Sequence, residues 1–398
     1  MTTSTKQKAE AETKLVTSVV EFLDSKPLFY EKIDYKRFPK IYDEIKESFN
    51  KKKQIIVHLV GTNGKGTTGR FIAQALFASG KSVGHFTSPH IVSFNERIWL
   101  NGQNIDNNTL ENAHNKLQSI LTKEQSNNLS YFEYTTLLAM VCFFNVEYIV
   151  LEAGLGGEYD ATAVFKHSYT VVTPVDYDHQ SFLGSTIEQI ATTKLNVMAN
   201  ECCIAKQKHS KVVAIAKEIA KRKSATLYMV ELKREEKDVV DLVAKQQQLP
   251  PYIQENLATA CCLLKKLNVA LKPQLFEGSA LFGRLSKVLP NVYVDVGHNP
   301  LAAEALAKTL AKGKFTLVYN SYSDKEYVKI LTILKPIIDH VELLPVRNQR
   351  VENIATLQKT LTQLKIQYCT FKQIEPKNSY LVFGSFVVVE EFLKKLDE

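Results

Sequence analysis

Apolar positions change their period along this chain, and the changes divide it into strands and helices. Short apolar runs at 55–60, 148–151 and 169–173 are bounded by glycine, proline or polar residues and read as buried strands. Stretches with apolar residues three and four apart predict helices at 16–23, 38–49, 67–79, 109–121, 187–197 and 255–267. The run 137–144 is apolar all round and stops at Asn145, as a buried helix does. Residues 87–99 read as loop, closed by the turn Asn101-Gly102. The stretch 272–283, with Pro273, Gly278, Ser279 and Gly283, reads as a linker. A second alternation follows it. Strands are expected at 292–296, 315–319, 340–344, 367–371 and 380–383, with helices at 301–311, 327–334, 354–364 and 387–396. Strands alternating with helices imply mostly parallel sheets. The division falls between residues 1–277 and 278–398, with a hinge over 272–283 and closure of one unit on the other.

One stretch breaks the alternation and carries chemistry. The first strand runs straight into Gly61-Thr62-Asn63-Gly64-Lys65-Gly66, followed by Thr67 and Thr68 and then a helix. Glycines let the backbone turn tightly and aim its N–H groups at an anion, and the helix N-terminus adds to that field. Lys65 supplies charge for phosphate, and Thr67 a hydroxyl for Mg²⁺. The spacing differs from G-x-x-x-x-G-K-[ST], because Gly66 lies between Lys65 and Thr67. A phosphate cradle for a nucleoside triphosphate is the reading; a plain glycine turn is its alternative. Glu152 ends the second strand, before Gly154-Leu155-Gly156-Gly157, and Asp176, Asp178 and His179 follow the third. In open α/β sheets, ligands gather beyond such carboxyl ends.

Composition narrows the rest. The 398 residues are 45% hydrophobic and 23% charged, which fits an ordinary soluble protein of two domains. No apolar run is long enough to span a bilayer. The polar stretch 1–14 lacks a signal core and its first dozen residues read as a frayed tail, so a cytoplasmic location is expected. A net charge of +8 suits acidic ligands. Without a basic stripe interleaved with aromatics it does not point to nucleic acid, and Lys51-Lys52-Lys53 reads as a solvated turn. Of the six cysteines, Cys142, Cys202, Cys203, Cys261, Cys262 and Cys369, none forms C-x-x-C or lies near a histidine at metal-ligand spacing. Free buried thiols are expected.

These residues resemble a family. Gly61-Thr62-Asn63-Gly64-Lys65-Gly66-Thr67 is similar to the loop of the Mur-ligase superfamily, and its Lys-Gly-Thr ending to the folate branch. Ser88-Pro89-His90 through Phe94-Asn95-Glu96-Arg97-Ile98 resembles that branch's folate-contacting loop. Phe132-Glu133 with Thr135-Thr136, Glu152 through Gly157, Asp160-Ala161-Thr162, Asp178-His179, Leu183-Gly184, Lys194, Gly283-Arg284, Asp295 with His298-Asn299-Pro300, Asp324-Lys325 and Gly384-Ser385 continue the match in order. Four positions depart from the pattern: Glu158 for arginine, Ala163 for asparagine, Pro174 for a small polar residue and Gly297 for alanine. The first two bear on pterin or ATP contacts; the others read as backbone variants of limited consequence.

The resemblance implies an α/β fold, a P-loop-type ATPase domain with a mostly parallel sheet followed by a smaller Rossmann-like domain. It implies ATP-dependent joining of L-glutamate to dihydropteroate, to a folate, or to both, through an acyl phosphate. It assigns Gly61 to Thr68, Asn256, Arg284 and Asp295 to ATP. Thr67 and Glu152 would hold one Mg²⁺; His179 and a carbamylated Lys194 would hold a second. Ser88, Pro89, His90, Phe94, Arg97, Thr136, Asp160, Ala161, His298 and Ser385 are assigned to the acid substrates. Lys65, Lys194, Asp295 and His298 are the catalytic candidates, and a monomer without nucleic-acid or membrane partners is implied. On their own, several residues also have plainer readings. Lys194 suits a helix surface, His298 a satisfied structural histidine, Ser385 a helix N-cap, and Glu96-Arg97 and Asp324-Lys325 solvated ion pairs. A cell-wall ligase of the same superfamily would need a larger domain before the cradle than about fifty residues. A nucleotide-binding protein without turnover would need Thr67, Glu152, His179 and Lys194 lost.

Overall fold

The computed structural model describes residues 18–27, 34–49 and 53–397. The tail expected over the first dozen residues, the start of the helix read at 16–23, and Lys51 and Lys52 lie outside them. The first sheet has eight strands: β1 (Ile55–Val60), β2 (Val83–Phe86), β3 (Ile98–Leu100), β4 (Gln103–Asn104), β5 (Tyr148–Glu152), β6 (Tyr169–Val172), β7 (Glu201–Ile204) and β8 (Thr226–Met229). Their order is β4-β3-β2-β5-β1-β6-β7-β8. Only β3 is reversed, pairing antiparallel with both β2 and β4. β1 lies between β5 and β6, with Leu59 opposite both Glu152 and Val171, so three carboxyl ends open at one rim.

Both faces of this sheet are covered. Helix Lys65–Ala78 buries Phe71, Ile72 and Leu76 against helix Pro251–Lys266, which contributes Leu257, Ala260 and Leu264. The opposite face packs under helices Asn107–Ile120 and Tyr131–Cys142. The second of these starts six residues before the apolar run that signalled it. Ser130 caps it by accepting from Glu133 N, and the Glu133 carboxylate accepts Ser130 N–H at 2.8 Å. Helices Ile187–Leu195 and Ser210–Lys223 cover β6 and β7.

The second sheet has six strands: β9 (Ser286–Leu289), β10 (Val292–Asp295), β11 (Phe315–Tyr319), β12 (Ile338–Leu343), β13 (Tyr368–Thr370) and β14 (Tyr380–Phe383). Their order is β13-β12-β11-β14-β10-β9, parallel except for β9. Helices Pro300–Thr309, Tyr327–Leu334 and Ile354–Gln363 cover one face and Phe386–Asp397 the other.

The linker reading needs correction. Residues Pro273–Phe276 form a 3₁₀ turn whose Phe276 is buried against Phe71, ring centroids 6.2 Å apart. Gln247 Nε2 donates to the Phe276 carbonyl at 2.7 Å. The turn is thus fixed to the helices on the first sheet, and residues 277–285 lie between it and β9. Among the described residues no helix is long and apolar enough to cross a membrane. The thiols also differ from expectation: Cys202, Cys203, Cys261 and Cys262 are buried, but Cys142 is only partly so and Cys369 is exposed.

Candidate active site

The cradle is built by sequence-local constraints. Gly64 has φ +88°, a left-handed value that favours glycine, and an added Cβ would lie 2.4 Å from Asn256 Oδ1. The Pro174 carbonyl accepts the N–H groups of Thr62 (2.8 Å) and Asn63 (3.3 Å), tying the loop to the end of β6. Lys65 Nζ folds back onto the carbonyls of Gly61 (3.3 Å) and Thr62 (3.4 Å) and lies 4.0 Å from Glu152. The buried Thr67 hydroxyl has no hydrogen-bond partner. A buried hydroxyl left so costs about 1–3 kcal/mol, which a ligand at that point offsets.

Glu152 ends β5 beside this hydroxyl's helix. Its carboxylate accepts from Thr87 Oγ1 and from Ser88 N at 3.3 Å. Lys194, on helix Ile187–Leu195, is 4% exposed and donates to the Gly61 carbonyl at 2.9 Å. Burial and then the neighbouring Lys65 charge pull its amine down to about 7. His179 holds a left-handed backbone (φ 51°), the kind of strain that folds keep at working sites. Burial, with Lys325, His298 and Lys194 adding to it against Asp178, lowers its imidazole to about 3. It is therefore neutral, as a metal-ligating histidine must be. A hydroxyl without a partner, a carboxylate, a neutral imidazole and a depressed amine fit divalent cations.

The second domain supplies the facing wall. Asp295 ends β10 and accepts from Gly297 N (2.8 Å), Leu285 N (2.9 Å) and Tyr252 OH (3.0 Å). Burial raises its carboxyl, opposed by Arg284. His298 Nδ1 lies 3.1 Å from the Val296 carbonyl and donates to it, which leaves Nε2 as the acceptor. Burial lowers this imidazole despite Asp178. Arg284 lies over the Phe386 ring at 5.3 Å. The walls meet in a cleft of about 560 Å³ lined by Gly61 to Thr67, Ser88, Pro89, Glu152, His179, Lys194, Asn256, Arg284, Asp295 and His298.

A polar clamp joins the domains. Asn63 and Asn299 exchange amide hydrogen bonds of 2.9 and 2.8 Å, and Asn299 also donates to Asp178 at 3.1 Å. Lys325 reaches Asp178 at 2.6 Å with its side chain 4% exposed. The solvated Asp324-Lys325 pair expected from sequence is therefore wrong for Lys325; only Asp324 faces solvent. Burial opposes the Asp178 charge, but His179, His298 and Lys325 outweigh it and hold the carboxyl well below the usual range. Asp178, Lys325 and Tyr252 were not among the predicted site residues. The Asp-His and Asp-Lys dipeptides were visible, but a contact across 147 positions was not.

Other predicted residues sit outside the cleft lining. Arg97 is buried, with Nε donating to His90 Nδ1 at 2.7 Å and its guanidinium over Tyr131 (5.3 Å) and Phe94 (5.9 Å). Glu96 instead accepts backbone N–H groups of Ile91, Val92 and Ser93, so the exposed ion-pair reading fails. Thr136 donates to the Phe132 carbonyl at 2.8 Å within its helix. Asp160 accepts from Leu155 N (2.8 Å) and Thr162 Oγ1 (2.5 Å), pinning the Gly154–Gly157 turn, with Ala161 buried beside it. Thr68 is buried in its helix, and the buried Ser385 accepts from Val388 N at 3.4 Å as a helix cap.

No protein-family model matches the chain. Individual relatives do. The dihydrofolate synthase/folylpolyglutamate synthase of Escherichia coli (strain K12) is 30% identical, over 85% of this chain and 86% of that protein. The crystal structure of Helicobacter pylori folylpolyglutamate synthetase is 38% identical and superposes with a TM-score of 0.77, over 94% of this chain and 97% of that one. The chain belongs to the dihydrofolate synthase/folylpolyglutamate synthase family. It is an ATP-dependent ligase, and its two-domain α/β fold is the family's. A bifunctional folylpolyglutamate synthase/dihydrofolate synthase from Yersinia pestis, solved with AMPPNP and a manganese ion, shares the fold at 23% identity, with a TM-score of 0.78 over 95% and 97% of the chains.

Against that family, the four departures separate. Glu158 faces outward and accepts from Asn196 at 2.7 Å, and Ala163 packs at the edge of the core under β6 and β7. Pro174 still offers the carbonyl that holds the cradle. Gly297 is less innocent than its sequence suggests. A Cβ there would lie 2.5 Å from the buried Phe383 ring and 2.7 Å from Ala302 Cβ.

Proposed function

We propose that this cleft joins L-glutamate to dihydropteroate, to a reduced folate, or to both, using ATP. One observation carries the reading. A phosphate cradle with a buried, partnerless Thr67 hydroxyl faces the ends of β10 and β14 across a cleft closed by Asp178. Phosphoryl transfer asks mainly for positioning and charge neutralisation, and this wall offers both. The cradle N–H groups and Lys65 bind the β- and γ-phosphates, with Arg284 approaching from the second domain and Asn256 beside the loop. Thr67 and Glu152 would hold one Mg²⁺, with His179 and a carbamylated Lys194 at a second. Such ions neutralise the triphosphate's charge. The complex of the Yersinia pestis relative with manganese supports a divalent cation here.

In the first step an oxygen of the acid substrate's carboxylate bonds to the γ-phosphorus, and the bond to ADP breaks. In the second, the glutamate amine bonds to the activated carbonyl carbon, and phosphate leaves. The amine must shed a proton, and His298 Nε2 is free to take it, because Nδ1 is committed to Val296. Asp295, saturated by three donors, positions the His298 segment. His90, Phe94 and Arg97 shape the loop beyond Ser88 and Pro89, where the pteroyl acid enters. Both walls come from one chain, which supports a monomer acting on small molecules. Six free cysteines suit a reducing compartment such as the cytoplasm.

The test is phosphate release from ATP with glutamate, first with dihydropteroate and then with tetrahydrofolate. Release with lengthening of either acid by one glutamate is expected. No release, or release without a lengthened product, refutes the reading.

A further inference from the structure

A second constellation lies on the far sheet, away from the ligase cleft. Val341 and Leu343 of β12 point into the core under helices Tyr327–Leu334 and Ile354–Gln363, whereas Leu344 and Phe371 pack under helix Phe386–Asp397. Strand side chains alternate, so His340 and Glu342 share the second face with Cys369 of β13, which is in register with Glu342. One ligand atom from each of His340, Glu342 and Cys369 falls within 4.8 Å of the others. His340 Nε2 lies 3.3 Å from Glu342 Oε1. Glu342 is 8% exposed, and among the described residues its ion-pair partner is that histidine. Lys372 lies near Cys369, and Glu375 near Glu342.

We propose that His340, Glu342 and Cys369 form a three-ligand site for a borderline divalent transition ion such as Zn²⁺, completed by solvent. One nitrogen, one carboxylate oxygen and one thiolate suit zinc, not the oxygen-seeking Mg²⁺ of the cleft. Zinc–ligand bonds of about 2.0–2.3 Å put tetrahedral ligands roughly 3.3–3.8 Å apart. His340 Nε2 and Glu342 Oε1 already stand at that spacing, and the farthest pair of the three, within 4.8 Å, needs to close by about 1 Å, within reach of side-chain rotation because Cys369 is exposed. The bond would tie β13 to its neighbour. β13 is an edge strand of three exposed residues, so the bond would add to the three register pairs that hold it. Cysteine spacing could not reveal this site. His340 and Cys369 are brought together by sheet pairing, not by proximity in sequence.

The test uses the full chain, stripped with chelator and returned to excess Mg²⁺. Titration with Co²⁺ is expected to give a thiolate-to-cobalt charge-transfer band saturating at one equivalent and abolished by Zn²⁺. Cys369→Ser should lose the band, and His340→Ala should bind at least about tenfold more weakly. Zn²⁺ should also slow alkylation of Cys369 in the unaltered protein, a readout that needs no variant to fold. A cobalt spectrum without the thiolate band, a band that survives in Cys369→Ser, or an alkylation rate indifferent to Zn²⁺ would overturn the proposal.

Discussion

Lys194 gives the sharpest test of the ligase cleft. Carbamylation needs a neutral amine, which attacks carbon dioxide to give a carbamate anion and a proton. With its amine at about 7, Lys194 is about three-quarters neutral near pH 7.5, against about one part in a thousand for an ordinary lysine at 10.5. The reactive fraction therefore rises roughly seven-hundred-fold. The sign with pH follows. Below about 7 the amine takes a proton, the carbamate is lost, and turnover should fall on the acid side. With ¹³C-bicarbonate, Mg²⁺ and ADP, a carbamate carbon resonance is expected that Lys194→Arg lacks. Bicarbonate-free buffer should lower turnover, and added bicarbonate should restore it. Lys194→Ala should cost at least about a hundredfold, the scale of losing one preorganised charged group. The reasoning is refuted if no resonance forms, or if Lys194→Ala keeps full turnover at low and high bicarbonate alike.

Three further outcomes are expected. Thr67→Val removes a buried hydroxyl with no partner, so melting temperature should hold or rise, while ADP binding weakens about tenfold with Mg²⁺ and not with EDTA; equal loss in both by calorimetry would count against a metal role. Lys325→Met strips Asp178 of its ammonium partner and should cost about 3–5 kcal/mol in denaturant unfolding. Because Lys325 lowers His179 and His298, its loss should also move the acid limb of the pH–rate profile upward, which a merely structural role would leave in place. Gly297→Ala forces a methyl against Phe383 and Ala302 and should destabilise by about 1–3 kcal/mol, read as a lower melting temperature; an unchanged one would mean that β14 yields without cost.

What the sequence reveals follows from the range of each interaction. β1, β11 and β14 are mostly apolar runs, interrupted only by the buried His58 and Thr316, and all three match their expected bounds. β2, β7 and β8 escape the pattern because they are four residues long and carry Gly84 and His85, a cysteine pair, or half-exposed faces. The buried His85 is accommodated by Arg70 Nε at 3.4 Å, fifteen residues away, so no local period marks it. The cradle was legible because its parts are contiguous: strand, glycines, lysine, threonine, helix. Glu152, His179 and Lys194 were each legible as strand-end or motif residues, but their convergence is a product of β5, β1 and β6 lying side by side. Lys325 was misread for the opposite reason. Beside Asp324 it has a local partner, and only the closed cleft shows that it turns away from solvent to Asp178.

That choice explains the charge arrangement. Asp178 lies 3.9 Å from His179 and 3.8 Å from His298, and a lone carboxylate there would draw protons onto both rings. A protonated His179 could not bind a metal, and a protonated His298 could not accept the amine's proton. Burial keeps both imidazoles below their usual range, and Lys325 adds a charge from the second domain that lowers them further and holds Asp178 ionised. The ion pair exists only while the domains are together. Were the domains to part, Asp178 would lose both Lys325 and Asn299. In the proposed mechanism closure would therefore bear on the protonation of both imidazoles through Asp178, one carboxylate that contacts both halves of the cleft.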